Sequence, residues 1–403
     1  MDIIVQKYGG TSVADVNKLE RVSKNIIREK QNGKGVVVVV SAQGKTTNKL
    51  IAGEEEITKH PSKREHDVLV STGEQITIAK LSMMLNEMGH KAKSYLAWQI
   101  PIVTNDNFNN ARIKYINGDK LKKDLEEGYI LIVAGFQGIT EQGEITTLGR
   151  GGSDTTAVAL AATLKARCDI YTDVDGVLTA DPRAIGNARK INNISYDEML
   201  EFASMGAKVL HNRCVEIAKE NNTELYVRTI FEDGTPSKGT EISDTKNLET
   251  FSINGVTKDD NVSRIIVTDV KNEIGSTYKL FKVLADESVD VDLVTQSMGE
   301  NALRTIAFTV KRNELEKVID ILENNKKRIY KGKILHDENL SKITIIGIGI
   351  ENKPDVASKM FEALSERKIN IQMINTSEIK ISVLVLSDRA DEALEAVYDK
   401  FFD

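Results

Sequence analysis

Eleven residues, Thr146-Thr147-Leu148-Gly149-Arg150-Gly151-Gly152-Ser153-Asp154-Thr155-Thr156, concentrate the chemistry-bearing side chains of this sequence. Three glycines, a guanidinium, a carboxylate and several hydroxyls fall in one turn. An apolar run precedes it (Tyr129 to Ala134) and an alanine-rich helical run follows (Ala157 to Ala166). A Gly-rich turn entering a helix presents backbone N–H groups, and the helix dipole there favours an anion. Arg150 adds a planar fork that fits a carboxylate or phosphate. The plainer alternative is a tight turn with a surface arginine.

Four further stretches carry groups of the same kind. Lys7 ends a short β run and is followed by Gly9-Gly10-Thr11-Ser12; this is either an anion-binding turn or an ordinary strand-to-helix turn. Ser41 to Thr47 follows five consecutive valines. Its Gly44-Lys45-Thr46 imitates the end of a P-loop, but the first glycine of that motif would stand at position 39, which is Val39. What remains is a polar loop after a strand's carboxyl end, where open α/β sheets bind ligands. Glu74, after Gly73, opens an apolar helical stretch and serves either as a helix-terminus charge or as a receptor for a ligand ammonium. Thr172-Asp173-Val174-Asp175-Gly176-Val177, with Asp181-Pro182-Arg183 beyond it, offers turn residues, carboxylates and a cation suited to a nucleotide's polar groups. Lys208 is expected near the start of a helix opened by Met205 to His211. A cation there is unfavourable unless an anion binds.

Elements that would hold these groups follow from periodicity. Ile3 to Tyr8, Val36 to Val40, Tyr129 to Ala134, Cys168 to Tyr171 and Glu224 to Arg228 read as strands, and Lys91 to Tyr95 as a weaker one. Helical spacing follows most of them, as in Val16, Leu19, Val22, Ile26 and Ile27. Alternating strands and helices predict a three-layer α/β sandwich with a mostly parallel sheet. Residues 232–249, polar and with Gly234, Pro236 and Gly239, mark a boundary. Beyond it a repeat runs at an offset of 80 residues: Phe281-Lys-Val-Leu284 against Phe361-Glu-Ala-Leu364, and Val289 to Val294 against Ile369 to Ile374. Each copy reads β-α-β-β-α, a ferredoxin-like unit with helices near 276–285 and 356–365. The expected domains are 1–240, 250–335 and 340–403, with 251–260 free to pair with the last. Gly347-Ile348-Gly349 lacks the third glycine of a dinucleotide fingerprint, since position 352 is Asn352.

Composition narrows the function classes. The 403 residues carry a net charge of −6 with basic residues dispersed, which argues against nucleic acid. The two cysteines, Cys168 and Cys214, lack metal spacing and read as buried free thiols in a reducing compartment. Five scattered histidines form no metal motif. No apolar run approaches a membrane span and no signal-peptide core is present, so a soluble cytoplasmic protein without membrane partners is expected.

Taken together, the motifs resemble those of the aspartate kinases. Lys7 to Ser12 is similar to their K-[FY]-G-G-[TS]-S, Thr147 to Asp154 to their T-L-G-R-G-G-S-D, and Tyr171 to Val177 with Asp181-Pro182-Arg183 to their nucleotide segment. Gly206 to His211 resembles a further block, and the repeat resembles their paired ACT domains. The resemblance spans essentially the whole chain. It implies an amino-acid-kinase fold followed by two ACT modules, and ATP-dependent phosphorylation of the L-aspartate β-carboxylate, the first step towards lysine, threonine and methionine.

By the same resemblance Lys7 and Asp154 are catalytic, with Asp154 orienting Lys7. Thr47, Glu74, Phe136, Arg150 and Ser153 bind aspartate, Arg150 at its α-carboxylate and Glu74 at its ammonium. Lys7, Gly9, Gly10, Ser41, Thr172, Asp173, Asp181, Arg183, Lys208 and Val209 hold ATP, with Mg²⁺ riding on the phosphates rather than on a protein metal site. Effector candidates are Ile274, Gly275, Asp292, Gln296, Asn375 and Thr376. Leu178 replaces a tyrosine that many relatives carry, and the repeat's helix entries, Asn272-Glu273-Ile274-Gly275 and Lys353-Pro354-Asp355-Val356, depart from the usual Pro-Gly. The short segment between Gly53 and Val68 resembles compact relatives and points to lysine as inhibitor, alone or with threonine. Paired ACT modules imply a homodimer or larger assembly. Two alternatives compete with the aspartate kinase reading: another acid or carbamate kinase of this fold, which the Glu74 and Arg150 pair disfavours, and an amino-acid sensor with an inactive kinase half, which should lack Lys7, Arg150 or Asp154.

Overall fold

A computed structural model describes residues 1–204, 209–244, 252–298 and 303–402. The chain forms two compact units, residues 1–179 with 188–248, and residues 180–187 with 249–403. Among the described residues no helix is long and apolar enough to cross a membrane.

Among the described residues the first unit has twelve strands: β1 (Ile3–Tyr8), β2 (Gly35–Val40), β3 (Ala92–Tyr95), β4 (Ile102–Thr104), β5 (Ile113–Ile116), β6 (Ile130–Ala134), β7 (Gln137–Thr140), β8 (Ile145–Thr147), β9 (Arg167–Tyr171), β10 (Asn193–Ile194), β11 (Leu225–Arg228) and β12 (Thr240–Ile242). Its helices are α1 (Val16–Gln31), α2 (Thr46–Ile57), α3 (Lys63–Val70), α4 (Thr72–Glu87), α5 (Asp119–Glu126), α6 (Gly152–Leu164), α7 (Tyr196–Ser204) and α8 (Asn212–Asn221). Eight strands form one sheet in the order β10-β12-β11-β9-β1-β2-β6-β3, parallel except where β11 meets β12.

The valine run of β2 is central and buried along its whole length, as a parallel strand covered on both faces must be. Val36, Val38 and Val40 pack with Leu19, Val22 and Ile26 of α1 and Leu81 and Leu85 of α4. Helices α5 and α6 contact the sheet as well, and α8 packs on α6. Helix α1 starts where the Asp15 carboxylate accepts the Lys18 N–H at 2.9 Å and stops at Gly33, whose φ of 82° ends the helix at no steric cost.

Chain order reverses at β1. Strands β2 and β6 lie on one side of it and β9 and β11 on the other, so a topological switch point opens at its carboxyl end. The register is unstaggered there: Tyr8 pairs with Val40 and with Tyr171, and Val40 with Ala134. Everything just beyond those four residues therefore emerges at one end of the sheet. Periodicity did not anticipate the smaller mixed sheet, β5-β4-β7-β8, whose last strand leads into the Gly-rich turn.

The second unit holds β13 (Ser252–Lys271), α9 (Ser276–Asp286), β14 (Val294–Met298), β15 (Leu303–Val310), α10 (Leu315–Asn324), α11 (Lys326–Ile329), β16 (Ile334–Ile348), α12 (Pro354–Glu366), β17 (Met373–Thr376), β18 (Lys380–Leu386) and α13 (Ala390–Phe402). The two β-α-β-β-α copies share one antiparallel sheet, β14-β15-β13-β16-β18-β17. Strand β13 serves both: Ser252 to Asp259 pairs with the end of β16, whereas Val262 to Val267 pairs with the start of β16 and Ser263 to Lys271 with β15. Leu280 and Leu284 of α9 and Leu315, Val318 and Leu322 of α10 fill one core, and Met360 and Leu364 of α12 are buried in the second copy.

Candidate active site

The strand ends carry most of the residues singled out by sequence. Lys7 projects from β1, and its ammonium lies 2.7 Å from Asp154 Oδ1 in the first turn of α6, both side chains largely shielded. Gly9 and Gly10 follow. A Cβ on Gly10 would meet the Ala42 carbonyl oxygen at 2.5 Å, and the Gly44 N–H donates to the Gly10 carbonyl at 2.9 Å. The turns after β1 and β2 are thus knitted backbone to backbone, and only glycine fits at position 10.

Ser41 leaves β2 half-buried, and Thr47 occupies the first turn of α2. The Ala42 N–H donates to Glu74 Oε1 at 2.9 Å, which draws the first turn of α4 against this loop. Glu74 is 3 % exposed, and its Oε2 has no hydrogen-bond partner among the described residues. Burial raises its carboxyl to about 7, against the opposing pull of the backbone N–H groups. A buried acid with one free oxygen is a receptor for a cation or a hydrogen-bond donor.

Phe136 follows β6 with φ of 71°, a strained conformation for an aromatic residue. It is fixed by the Thr156 hydroxyl oxygen, which accepts the Phe136 N–H at 3.1 Å, while the same hydroxyl donates to the Gly152 carbonyl at 2.9 Å. Gly152 is required because a Cβ would stand 2.7 Å from the Phe136 ring, and Ser153 is packed against Gly135. The start of α6 and the Gly135-Phe136 corner are therefore one packed unit. Backbone strain held in place by its surroundings is frequent at functional sites.

The turn before α6 is laced from two sides. Asp67 of α3 is fully buried; its oxygens accept the Thr147 N–H (2.9 Å), the Thr147 hydroxyl (2.6 Å) and the Asn109 N–H (3.0 Å). From α8, Arg213 donates to the Leu148 carbonyl (2.9 Å) and the Ala111 carbonyl (2.7 Å). Gly149 and Gly151 have φ of 75° and 68°. A Cβ on Gly151 would collide with the His211 Cβ at 2.5 Å and with its ring at 2.8 Å. Arg150 is left exposed at the tip, without an ion-pair partner among the described residues. Asp67 and Arg213 were not singled out by sequence, and Thr156 stood there only as one of the hydroxyls of the Gly-rich stretch. A lone acid in an amphipathic helix looks like a surface charge until its donors are seen.

On the other side of β1, the Thr172 N–H donates to the Arg228 carbonyl, and the Thr172 hydroxyl oxygen accepts the Val174 N–H at 3.1 Å; Asp173 is exposed beside it. Asp181 and Arg183 belong to the 180–187 segment of the second unit, where they face each other at 2.6 Å and Arg183 is exposed. Lys208 lies outside the described residues. Residues 205–207 of the expected helix lie outside them as well; Val209 and Leu210 sit in a turn, and α8 begins at Asn212, capped by the His211 ring nitrogen. The helical spacing of Val215 and Ala218 was read too far upstream.

The effector candidates lie in the second unit. Ile274 is fully exposed and Gly275, at φ of 86°, caps α9. Asp292 is paired with the buried Lys342 of β16, and the Thr277 hydroxyl donates to Gln296 at 3.1 Å. Asn375 and Thr376 lie on the edge strand β17.

Burial raises the thiols of Cys168 and Cys214, and both are free. Among the described residues no three His, Cys, Asp or Glu side chains converge as a metal site.

Comparison with known proteins agrees with this architecture. A profile described as the amino acid kinase family matches residues 2–229, and one described as an ACT domain matches residues 343–401. An aspartokinase of Bacillus sp. (strain MGA3) is 48 % identical over 403 residues, covering 100 % of this chain and 97 % of that protein. Among solved structures, E. coli aspartokinase III in complex with aspartate and ADP is 25 % identical with a TM-score of 0.79, covering 100 % of both chains. The same enzyme in complex with lysine and aspartate is 26 % identical with a TM-score of 0.74, again covering 100 % of both. A switch-point site beside the Lys7–Asp154 pair, a kinase profile over more than half of the chain and full-length likeness to aspartokinases converge: the chain belongs to the aspartate kinases, amino acid kinase family enzymes that carry C-terminal ACT domains.

Proposed function

We propose that the strand-end site transfers the γ-phosphoryl group of ATP to the β-carboxylate of L-aspartate, giving 4-phospho-L-aspartate for the synthesis of lysine, threonine and methionine. The observation that carries this reading is Glu74: a buried carboxylate with one oxygen tied to Ala42 and the other free, at the sheet end where Lys7 also sits. That combination supplies a receptor for a substrate ammonium beside a cation for a transferring phosphoryl group.

The nucleophile needs no base, because a carboxylate is ionised at pH 7. Catalysis then reduces to alignment and charge neutralisation. Lys7 neutralises the transferring group, and Asp154 holds its ammonium in place rather than taking a proton. Glu74 takes the substrate ammonium and Arg150 its α-carboxylate, while Thr47, Phe136 and Ser153 close the pocket. The bare backbone at Gly10 and the polar groups of Thr172 and Asp173 fit a nucleotide. With Gly9, Ser41, Lys208 and Val209 they would hold ATP. Bound ATP supplies the phosphoryl group, and Mg²⁺ on its phosphates offsets their charge.

The ACT modules are the seat of feedback, and lysine is the effector favoured here, alone or with threonine; a relative of the same fold is known with lysine bound. Assembly through these modules makes the working form a homodimer or larger.

Trapping the acyl phosphate with hydroxylamine tests the reaction. With ATP and Mg²⁺ the expected product is aspartyl hydroxamate, with none from N-acetylglutamate, and added lysine should lower the rate. Folded protein that yields no aspartyl hydroxamate would refute the reading. Inhibition by threonine alone would reassign the effector.

A further inference from the structure

The Thr147–Asn109–Asp67 cluster has no place in the chemistry just described, yet it joins the two halves of the substrate pocket. Asp67 is wholly buried and, among the described residues, meets only neutral donors: the N–H and hydroxyl of Thr147, and the N–H and side-chain amide of Asn109. Thr147 is the last residue of β8, two before Gly149, and Asn109 itself has φ of 71°. A Cβ on Gly149 would meet the Asn109 carbonyl oxygen at 2.9 Å, so the loop that Asp67 holds is the floor on which the Gly-rich turn rests. Asp67 of α3 stands seven residues before Glu74 of α4. The junction at Ser71 stays helical, with φ of −66°, ψ of −16° and its N–H donating to the Asp67 carbonyl at 3.1 Å. Seven residues are close to two full turns, so Asp67 and Glu74 share one face of the α3–α4 rod.

We propose that Asp67 is a positioning residue that fixes the span between Glu74 and Arg150, and so sets affinity for the amino acid rather than for the nucleotide. The proposal rests on the roles given above to Glu74 and Arg150. A carboxylate suits the task because it only accepts hydrogen bonds. Asn at this position would turn an N–H₂ group towards at least one donor and push the turn away.

The test is steady-state kinetics of Asp67→Asn, with Thr147→Val as a second variant that removes only the hydroxyl link. The expected result is a rise of tenfold or more in the KM for aspartate in Asp67→Asn, and about threefold in Thr147→Val, with the KM for ATP within twofold of wild type. In a double-mutant cycle, Asp67→Asn combined with Arg150→Ala should be no worse for aspartate than Arg150→Ala alone, because Asp67 acts through Arg150. A purely structural role would lower thermal stability and leave aspartate KM unchanged, or the two substitutions would act additively; either result overturns the proposal. If Asp67→Asn does not fold, Thr147→Val decides by the same KM comparison. Wild-type protein inactive on aspartate would remove the catalytic reading and this inference together. An active wild type with unaltered variants removes this inference alone.

Discussion

Lys7 and Glu74 show two opposite uses of shielding. Lys7 is shielded together with a partner, Asp154 at 2.7 Å. Replacing Lys7 with alanine should cost about 10²–10³ in kcat, as loss of one preorganised charge typically does, with little change in aspartate KM. A change confined to aspartate KM would make Lys7 a binding residue instead. Glu74 has no ion-pair partner among the described residues, and burial raises its carboxyl to about 7. Between the ordinary carboxylate range and pH 7 the folded protein holds a proton that the unfolded chain has lost, so this group makes stability fall as pH rises across that interval. In Glu74→Gln that decline should be shallower, as read from denaturant midpoints at pH 5 and 7. An incoming ammonium favours the ionised form, so aspartate KM should fall as pH rises through about 7 in the wild type. The same KM should be high and flat with pH in Glu74→Gln. A parallel fall in both proteins would assign the titration elsewhere.

Turns and helix starts decide where these side chains point. Gly151 and Gly33 both have positive φ, 68° and 82°, but a Cβ on Gly151 would strike His211 whereas one on Gly33 would meet open space. Gly33→Ala should therefore cost only the left-handed backbone term, about 1–2 kcal/mol of stability, with kinetics unchanged. Gly151→Ala should add displacement of the α6 entry and reduce aspartate turnover. Equal kinetic behaviour of the two variants would show that the turn before α6 tolerates movement. At this scale the sequence was informative where a strand is long and apolar or a motif is dense: β1, β2, β6 and β9, the Gly-rich turn and the repeat were all legible from periodicity. The mixed sheet β5-β4-β7-β8 was not, because strands of three or four residues carry too few alternations to stand out. Nor were Asp67 and Arg213, whose work is done on backbone groups distant in sequence. The start of α8 was misplaced because apolar spacing continues through a turn that a histidine cap interrupts.

In the second unit, one strand makes two modules inseparable. Ser252 to Asp259 completes the copy built on β16, and the rest of β13 belongs to the copy with β15. The earlier module is thus an insertion within the later one. A chain ending after Ile329 would leave Ser252 to Asp259 without the partner that β16 provides, exposing an unpaired edge. Such a truncation should self-associate in sedimentation, whereas a chain that retains β16 and the elements after it should not. A monodisperse truncated chain would show that this segment needs no partner.

The same arrangement imposes a wait during synthesis. About 80 residues separate Asp259 from its partner Lys342, which at ~5–20 residues per second is several seconds of elongation. For that time the segment from Ser252 must remain unpaired in the crowded space near the ribosome. Its composition suits the delay: Asn254 and Gly255 are poor strand formers, and Lys258, Asp259 and Asp260 place three charges in succession. Nascent chains arrested just beyond β15 should be cut by protease within 252–260, and chains arrested after β18 should be protected there.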